Sequence, residues 1–334
     1  MFTPTRLRTV VESRWAGLLF VLLVCGVSLV PLGGSASAGS LPTASSVSKE
    51  SWHTIAPIDS DNPGANGALS CVTSTFCMAA QGNLVRSFNG HSWSKDVTLG
   101  SGLTSGVNQV SCPTTTFCVA VDIGGYVYYY RGHSWSEGPQ IDPVGGTVNQ
   151  EFGIIDVSCP TTTFCAAIDD GGDAYTYEKG EWSGPQLIAQ GQLMESVSCG
   201  SAKYCLVTTE AGFSFLFNGH SWTTFGVVAE LQGMGEATCA SATFCLVTAG
   251  NDVYRLDGQS WSAGHDLPSG PGNPGIVGLQ CPSTTFCMAF TQMRAYAYAL
   301  GRWIRVSGGG NEVFSCTATA FCIATDDGYA SKFS

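Results

Sequence analysis

The sequence predicts an all-β fold, a seven-bladed β-propeller with four antiparallel strands per blade and a last blade closed by the N-terminal strand. Three observations predict it. First, two cysteines six residues apart recur seven times: Cys71/Cys77, Cys112/Cys118, Cys159/Cys165, Cys199/Cys205, Cys239/Cys245, Cys281/Cys287 and Cys316/Cys322. From one first cysteine to the next the steps are 41, 47, 40, 40, 42 and 35 residues. A period near forty marks a repeat whose units cannot bury their apolar faces alone. Second, each unit holds four short runs rich in Val, Tyr, Phe and Trp, separated by turn residues; in the second unit they are Val107–Cys112, Cys118–Asp122, Tyr126–Tyr130 and Trp135–Ile141. Third, the first six units end in a Trp 16 or 17 residues past the second cysteine, at Trp93, Trp135, Trp182, Trp222, Trp261 and Trp303. The seventh unit stops at Ser334 without one, and Trp52 stands ahead of the first unit instead. An N-terminal strand that completes the last blade closes the ring and removes an open sheet edge.

Residues 1–38 read as a signal peptide. Arg6, Arg8 and Arg14 give a basic start, an apolar run follows from Trp15 to Leu32, and Ala36-Ser37-Ala38 resembles a cleavage site. An uncleaved membrane anchor is the alternative. Residues 39–50 are polar and Ser-containing and read as a flexible linker, and residues 51–334 form the propeller. Within it, tight turns between the third and fourth strands are expected at Asn89-Gly90, Arg131-Gly132, Lys179-Gly180, Asn218-Gly219, Asp257-Gly258 and Leu300-Gly301.

The whole chain carries 14 Lys and Arg against 25 Asp and Glu. Without the signal peptide eleven face twenty-four, a net charge near −13. That charge repels polyanions and excludes nucleic acid and anionic membrane as partners. Membrane contact is expected only through the signal segment if it is uncleaved, and the mature chain is read as a secreted monomer.

Fourteen cysteines in seven equal pairs behind an export signal read as seven disulfides, each within its own blade. One cysteine is expected to end the first strand and the other to begin the second, with all five intervening residues in the turn. Neighbouring antiparallel strands would then bring the Cα atoms to about 5.5 Å, within disulfide reach. Zinc would need four converging ligands, and adjacent pairs belong to different blades.

The spacing from each Trp to the next first cysteine varies: 19, 19, 24, 17, 17, 20 and 13 residues. The variation therefore collects in the connections between blades, which share a face with the turns joining second and third strands. Variable loops gathered on one face are where repeat proteins bind. The longest connection, Ser136–Asp156, holds Asp142, Glu151 and Asp156. Asp122, Asp169 and Asp326 take equivalent places in the turns, each followed two residues on by Gly. They read first as Asx turns. Asp169, Asp170 and Asp173 are also a candidate calcium site, because hard cations take oxygen ligands. The candidate ligand-binding residues are Asp142, Glu151, Asp169, Asp170, Asp173 and Arg294. The recurring tryptophans read as packing between blades, with sugar-binding clefts between blades as the second reading.

The seven-fold repeat, the Asp-x-Gly turns and the Gly-His-Ser-Trp strand starts resemble secreted bacterial propellers, among them the Asp-box repeats of sialidase-like proteins and the seven-bladed lectins. Sialidases hold a carboxylate with three arginines and use a Tyr/Glu nucleophile pair; here only Arg294 is expected on the loop face, so the resemblance assigns no catalytic residue. The expected function is a secreted, non-enzymatic recognition module for extracellular glycan or protein, with no cofactor unless calcium. The alternatives are a glycan-active hydrolase using Glu151 and Asp169, and an envelope scaffold.

Overall fold

A computed structural model describes residues 52–57, 67–100, 106–143, 153–228, 234–267, 275–291, 294–307, 313–318, 321–326 and 329–333. The expected signal peptide and linker, and Glu151, lie outside the described residues. Seven four-stranded antiparallel sheets follow one another along the chain. In blades 1 to 6 the strand order is sequential, and in blade 7 the outermost strand is Trp52–Pro57, paired with Tyr329–Phe333 from Trp52↔Phe333 to Pro57↔Tyr329. The fold is the expected propeller, and Trp52 occupies the place that the seventh unit lacks.

The first strands of successive blades pack side by side all the way round, so they line the axis. The second strands are buried on both faces: every residue of Phe117–Asp122, Phe164–Asp169, Phe244–Ala249 and Phe286–Thr291 is buried. This explains their unbroken apolar runs, where a one-sided strand would alternate. Outer strands such as Glu181–Leu187 are largely exposed. The core is divided into seven apolar clusters, one at each junction between neighbouring blades.

One row of residues runs across every blade. The second cysteine pairs with the last apolar residue of the third strand, which pairs in turn with the Trp. Blade 2 has Cys118↔Tyr130↔Trp135 and blade 3 has Cys165↔Tyr177↔Trp182. The Trp and aromatic rings lie 5.6 and 5.5 Å apart there. In blade 5 the middle residue is Leu256, and Trp261 packs instead on Phe225 of blade 4 at 6.4 Å. Each Trp also joins the cluster shared with the preceding blade, so packing is its main role. Aromatic pairs of this kind add about 0.5–1.5 kcal/mol beyond area burial.

All seven cysteine pairs are disulfides within their own blades: Cys71–Cys77, Cys112–Cys118, Cys159–Cys165, Cys199–Cys205, Cys239–Cys245, Cys281–Cys287 and Cys316–Cys322. The second partners, Cys77, Cys118, Cys165, Cys205, Cys245, Cys287 and Cys322, are fully buried. Two details differ from expectation. The Cα atoms stand 3.9–4.1 Å apart, closer than the expected ~5.5 Å of a hydrogen-bonded antiparallel pair and nearer the ~4.5 Å of a non-hydrogen-bonded one. The cysteines also stand inside the strands rather than at their ends in six blades. There the first strand runs two residues past its cysteine, and the second begins with the aromatic residue before Cys77, Cys118, Cys165, Cys205, Cys245 or Cys287. Two residues suffice to reverse the chain, so the residues flanking them pair as well: Thr73↔Phe76, Ser201↔Tyr204, Ser241↔Phe244 and Ser283↔Phe286. In blade 7 the strands end at Cys316 and start at Cys322, as expected.

A belt of hydrogen bonds ties the inner strands together. In each blade the residue before the first cysteine accepts the amide of the first cysteine in the next blade. Ser70 accepts from Cys112 (3.0 Å), Ser111 from Cys159 (2.9 Å), Ser158 from Cys199 (3.0 Å), Ser198 from Cys239 (2.8 Å) and Thr238 from Cys281 (2.8 Å). Gln280 takes the same part for Cys316, and Ser315 accepts from Cys71 at 2.8 Å to close the circuit. An inner-strand amide facing a neighbouring blade finds no backbone acceptor, so a side-chain oxygen satisfies it.

The turns between third and fourth strands differ in part from the expected two-residue form. Blades 3 and 6 have it, with Lys179-Gly180 and Leu300-Gly301 all at positive φ. In blades 1, 2, 4 and 5 four residues separate the pairing partners, as between Phe88 and Trp93. The reason is local in three of them. Asn89, Asn218 and Asp257 each accept the amides two and three residues on through Oδ1, which widens the turn.

Candidate functional site at the junction of blades 2 and 3

Inter-blade connections and second-to-third-strand turns share one face, here the loop face; the disulfide turns and the third-to-fourth-strand turns form the opposite, disulfide face. On the loop face the turn after Phe164–Asp169 is built by its first aspartate. Asp169 Oδ1 accepts the amide of Asp173 (2.8 Å) and Oδ2 the hydroxyl of Tyr175 (3.3 Å). Asp122 does the same in blade 2, toward Tyr126 (2.9 Å) and Tyr128 (3.0 Å). Both aspartates are buried turn-formers, and Thr209 Oγ1 takes the equivalent place in blade 4, accepting from Phe213 at 3.2 Å.

The connection from blade 2 brings Asp142 against the equivalent Asp122–Tyr126 turn of its own blade, on the side of blade 3. Its backbone crosses Gly125, where a Cβ would stand 2.0 Å from the carbonyl oxygen of Asp142, so only glycine admits the approach. Asp142 itself is buried. Burial pushes the Asp169 carboxyl up to about 6, and the charges of Asp173 and Asp142 add to the rise. Burial and Asp142 also raise Asp173. The structure thus gathers Asp142, Asp169 and Asp173 at one junction, with Asp170 in the same turn. Arg294 belongs to the corresponding turn of blade 6 and is not part of this group. Among the described residues no three or more His, Cys, Asp or Glu side chains converge to hold a metal ion.

On the outer wall of the same junction a cleft of about 510 Å³ opens between the blades. Tyr129, Arg131 and Gln140 line it from blade 2, and Tyr175, Glu181 and Trp182 from blade 3. Tyr175 belongs to both features: it lines the cleft and donates its hydroxyl to Asp169. The indole Nε1 of Trp182 donates to Oη of Tyr129 at 2.8 Å across the blade boundary. The Arg131 guanidinium sits over the rings of Tyr129 (5.1 Å) and Phe117 (5.6 Å) at the disulfide-face end. Burial raises Tyr129, so its phenol stays protonated and keeps its own hydrogen to donate. The cleft therefore offers flat aromatic surface, a guanidinium, a phenol, an amide and a carboxylate within one recess.

A second group of acids faces the axis. Asp156, expected in a loop, lies within the inner strand Ile154–Thr161, because that strand begins earlier than the apolar pattern suggests. It accepts the amides of Val157 (2.7 Å) and Val197 (2.8 Å) and the hydroxyl of Ser196 (3.2 Å). Ser196 accepts the Ala237 amide (3.2 Å), and Glu236 the Leu279 amide (2.7 Å). These bonds form a second, partial belt over blades 3 to 6. Burial pushes Asp156 up to about 6 and Glu236 up to about 7. Burial, with Glu210 and Asp156 beside it, pushes Glu195 up to about 7. The Glu195 and Glu236 side chains still touch solvent, but protein walls surround the axis and weaken their hydration.

No protein-family model matches the sequence, and no curated protein matches it. Solved structures with the same shape are numerous. YCF48 bound to D1 peptide superposes with a TM-score of 0.64 at 13% identity, over 88% of this chain and 97% of that one. YCF48 from Cyanidioschyzon merolae gives 0.63 at 13% identity over 84% and 98%. Virginiamycin B lyase from Staphylococcus aureus gives 0.69 at 9% identity over 86% and 99%. At such identities the likeness is one of fold, and it places the chain among the propellers.

Proposed function

We propose that this chain is an exported binding propeller whose cleft between blades 2 and 3 takes an extracellular glycan. The observation that carries the reading is the make-up of that cleft. Sugar rings present an apolar face and a rim of hydroxyls, so they match aromatic planes flanked by fixed donors and acceptors. Half-buried Trp182 supplies the plane, backed by the buried rings of Tyr129 and Tyr175; Arg131, Gln140, Glu181 and the Tyr129 hydroxyl supply the polar rim. The Trp182–Tyr129 hydrogen bond holds the lining before any ligand arrives, which lowers the ordering cost of binding. Export is supported by the signal-like N-terminus and by seven disulfides, which persist in oxidising compartments. That propellers of this shape hold ligands of other classes is supported by the peptide in the YCF48 structure.

The test is a glycan array probed with the full chain, with every hit also assayed for hydrolysis. Binding without turnover is expected. Turnover of a bound glycan would favour a hydrolase instead, and an empty array would contradict the glycan reading.

A further inference from the structure

We propose that the loop face over blades 3 and 4 docks a protein segment carrying both apolar and basic side chains. This surface is separate from the cleft on the outer wall, and the inference does not depend on the glycan reading.

Apolar side chains of this size are normally withdrawn from water when a fold can cover them. Leu187, Leu193 and Val227 are not; they are 55%, 46% and 46% exposed. All three reach the loop side of neighbouring blades. Leu187 ends the outer strand of blade 3 and pairs with Asp173. Leu193 precedes the inner strand of blade 4, and its carbonyl accepts the amide of Glu210 at 3.0 Å. Val227 ends the outer strand of blade 4 and pairs with Phe213. Half-buried Ile188, next to Leu187 in the chain, and Phe213, paired with Val227, both pack on the single cluster between these blades.

Charge decides what fits there. Blades 3 and 4 are described without a gap from residue 153 to 228, and their cations are Lys179 and Lys203. Lys179 sits in a third-to-fourth-strand turn and Lys203 in a disulfide turn, both on the opposite face. The loop side of the same two blades carries Asp170, Asp173 and Glu210, and Glu195 stands near Glu210 and Asp156 at the loop-side start of the inner strand Met194–Ser201. The Arg294 and Arg305 cations at the loop-side strand ends of blade 6 are across the ring. The patch is thus aliphatic at its centre and anionic at its edge. A neutral glycan would find only the half-buried ring of Phe213 among aliphatic side chains, and an anionic surface would be repelled. A segment that alternates leucine-like and lysine-like side chains matches both parts. Its cations would relieve the repulsion from Glu210 and Asp156 that adds to the burial-driven rise of Glu195.

The probe is a peptide alternating Lys and Leu, titrated into the full chain by fluorescence anisotropy, with peptides alternating Glu and Leu or Lys and Ser as references. Two variants dissect the surface: Leu187→Ser with Leu193→Ser and Val227→Ser, and Glu195→Gln with Glu210→Gln. Glu178→Gln, on the opposite face, controls for net charge. The inference expects saturable binding of the Lys/Leu peptide only, weakened about tenfold or more by each set of changes and unaltered by Glu178→Gln. All five residues are surface side chains, and circular dichroism of each variant verifies folding. Absence of binding, equal binding by parent and variants, or equal loss with Glu178→Gln would overturn it.

Discussion

The backbone amide of Cys71 donates to Oγ of Ser315 at 2.8 Å, joining residues 244 apart in sequence. This bond completes the belt in which each first cysteine is tied to the blade before it. It does for the inner wall what the pairing of Trp52 with Phe333 does for the outer one. The ring is therefore closed twice, at different radii and by different chemistry.

Ser315→Ala removes the acceptor and leaves the Cys71 amide without one. An unsatisfied buried amide costs about 1–3 kcal/mol, so urea unfolding should show a loss of roughly that size. Ser158→Ala, which breaks the same bond to Cys199, should behave alike; a loss only at Ser315 would make the closure special and the belt incidental.

Trp52 packs its ring on Phe290 at 5.3 Å and on Phe333 at 5.5 Å, so it ties the N-terminal strand to blades 6 and 7. Complete truncation of a core Trp costs about 3–5 kcal/mol, and Trp52 is only half-buried. Trp52→Ala should therefore lower stability by about 2–3 kcal/mol and expose the edge of Tyr329–Phe333 to self-association. Thermal melts that are unchanged and independent of concentration would contradict this.

Replacing Cys159 and Cys165 together by Ala removes one short cross-link. In the chain-entropy model a loop of this length contributes about 2 kcal/mol. The same change at Cys199 and Cys205, or in any other blade, should cost a similar amount, measured by chemical unfolding, since all seven pairs have the same separation of six. A blade whose loss unfolds the protein outright would contradict an even distribution of the staples.

Stability should fall as pH rises from about 4 to about 8. Asp156 and Asp169 titrate near 6 in the folded chain, and Glu195 and Glu236 near 7. In the unfolded chain such groups titrate near about 4. Between those values the folded state binds more protons, so raising pH favours unfolding. Asp257 is shifted the other way by the amides of Ser260 and Gln259, and its effect is confined to acid pH. The melting temperature should be higher at pH 5 than at pH 8, and Glu236→Gln should flatten the slope. A melting temperature that climbs through this window would refute the assignment.

The ring was legible in the sequence because its markers are local. A cysteine pair six apart and a Trp at a fixed offset locate the strands directly, and the absence of a seventh Trp after Cys322 betrays the strand at Trp52. The strand ends beside Cys77, Cys205, Cys245 and Cys287 were less plain, because the polar residues between the cysteines look like turn throughout, although the outer ones pair. The belt was legible only as a pattern: Ser or Thr precedes six of the seven first cysteines, but its partner lies in the neighbouring blade. The site was less legible for the same reason. Asp169 as a turn-former follows from its own neighbours, whereas the approach of Asp142 depends on how a connection folds over Gly125. The Tyr129–Trp182 bond spans 53 residues, and no spacing announces it.

The proposal that the cleft between blades 2 and 3 binds a glycan is tested most directly by Tyr129→Phe. This change deletes one oxygen and leaves the Trp182 indole N–H without its acceptor. Trp52, Trp93, Trp222 and Trp261 already have buried indole N–H groups with no hydrogen-bond partner among the described residues, so the fold should tolerate one more at a cost of about 1–3 kcal/mol. Titration calorimetry of an array-identified glycan into parent and variant then reads the cleft alone. Affinity weakened about tenfold, with the variant still folded and melting cooperatively at a modestly lower temperature, is the predicted result; equal affinity for both proteins would show that the glycan binds elsewhere.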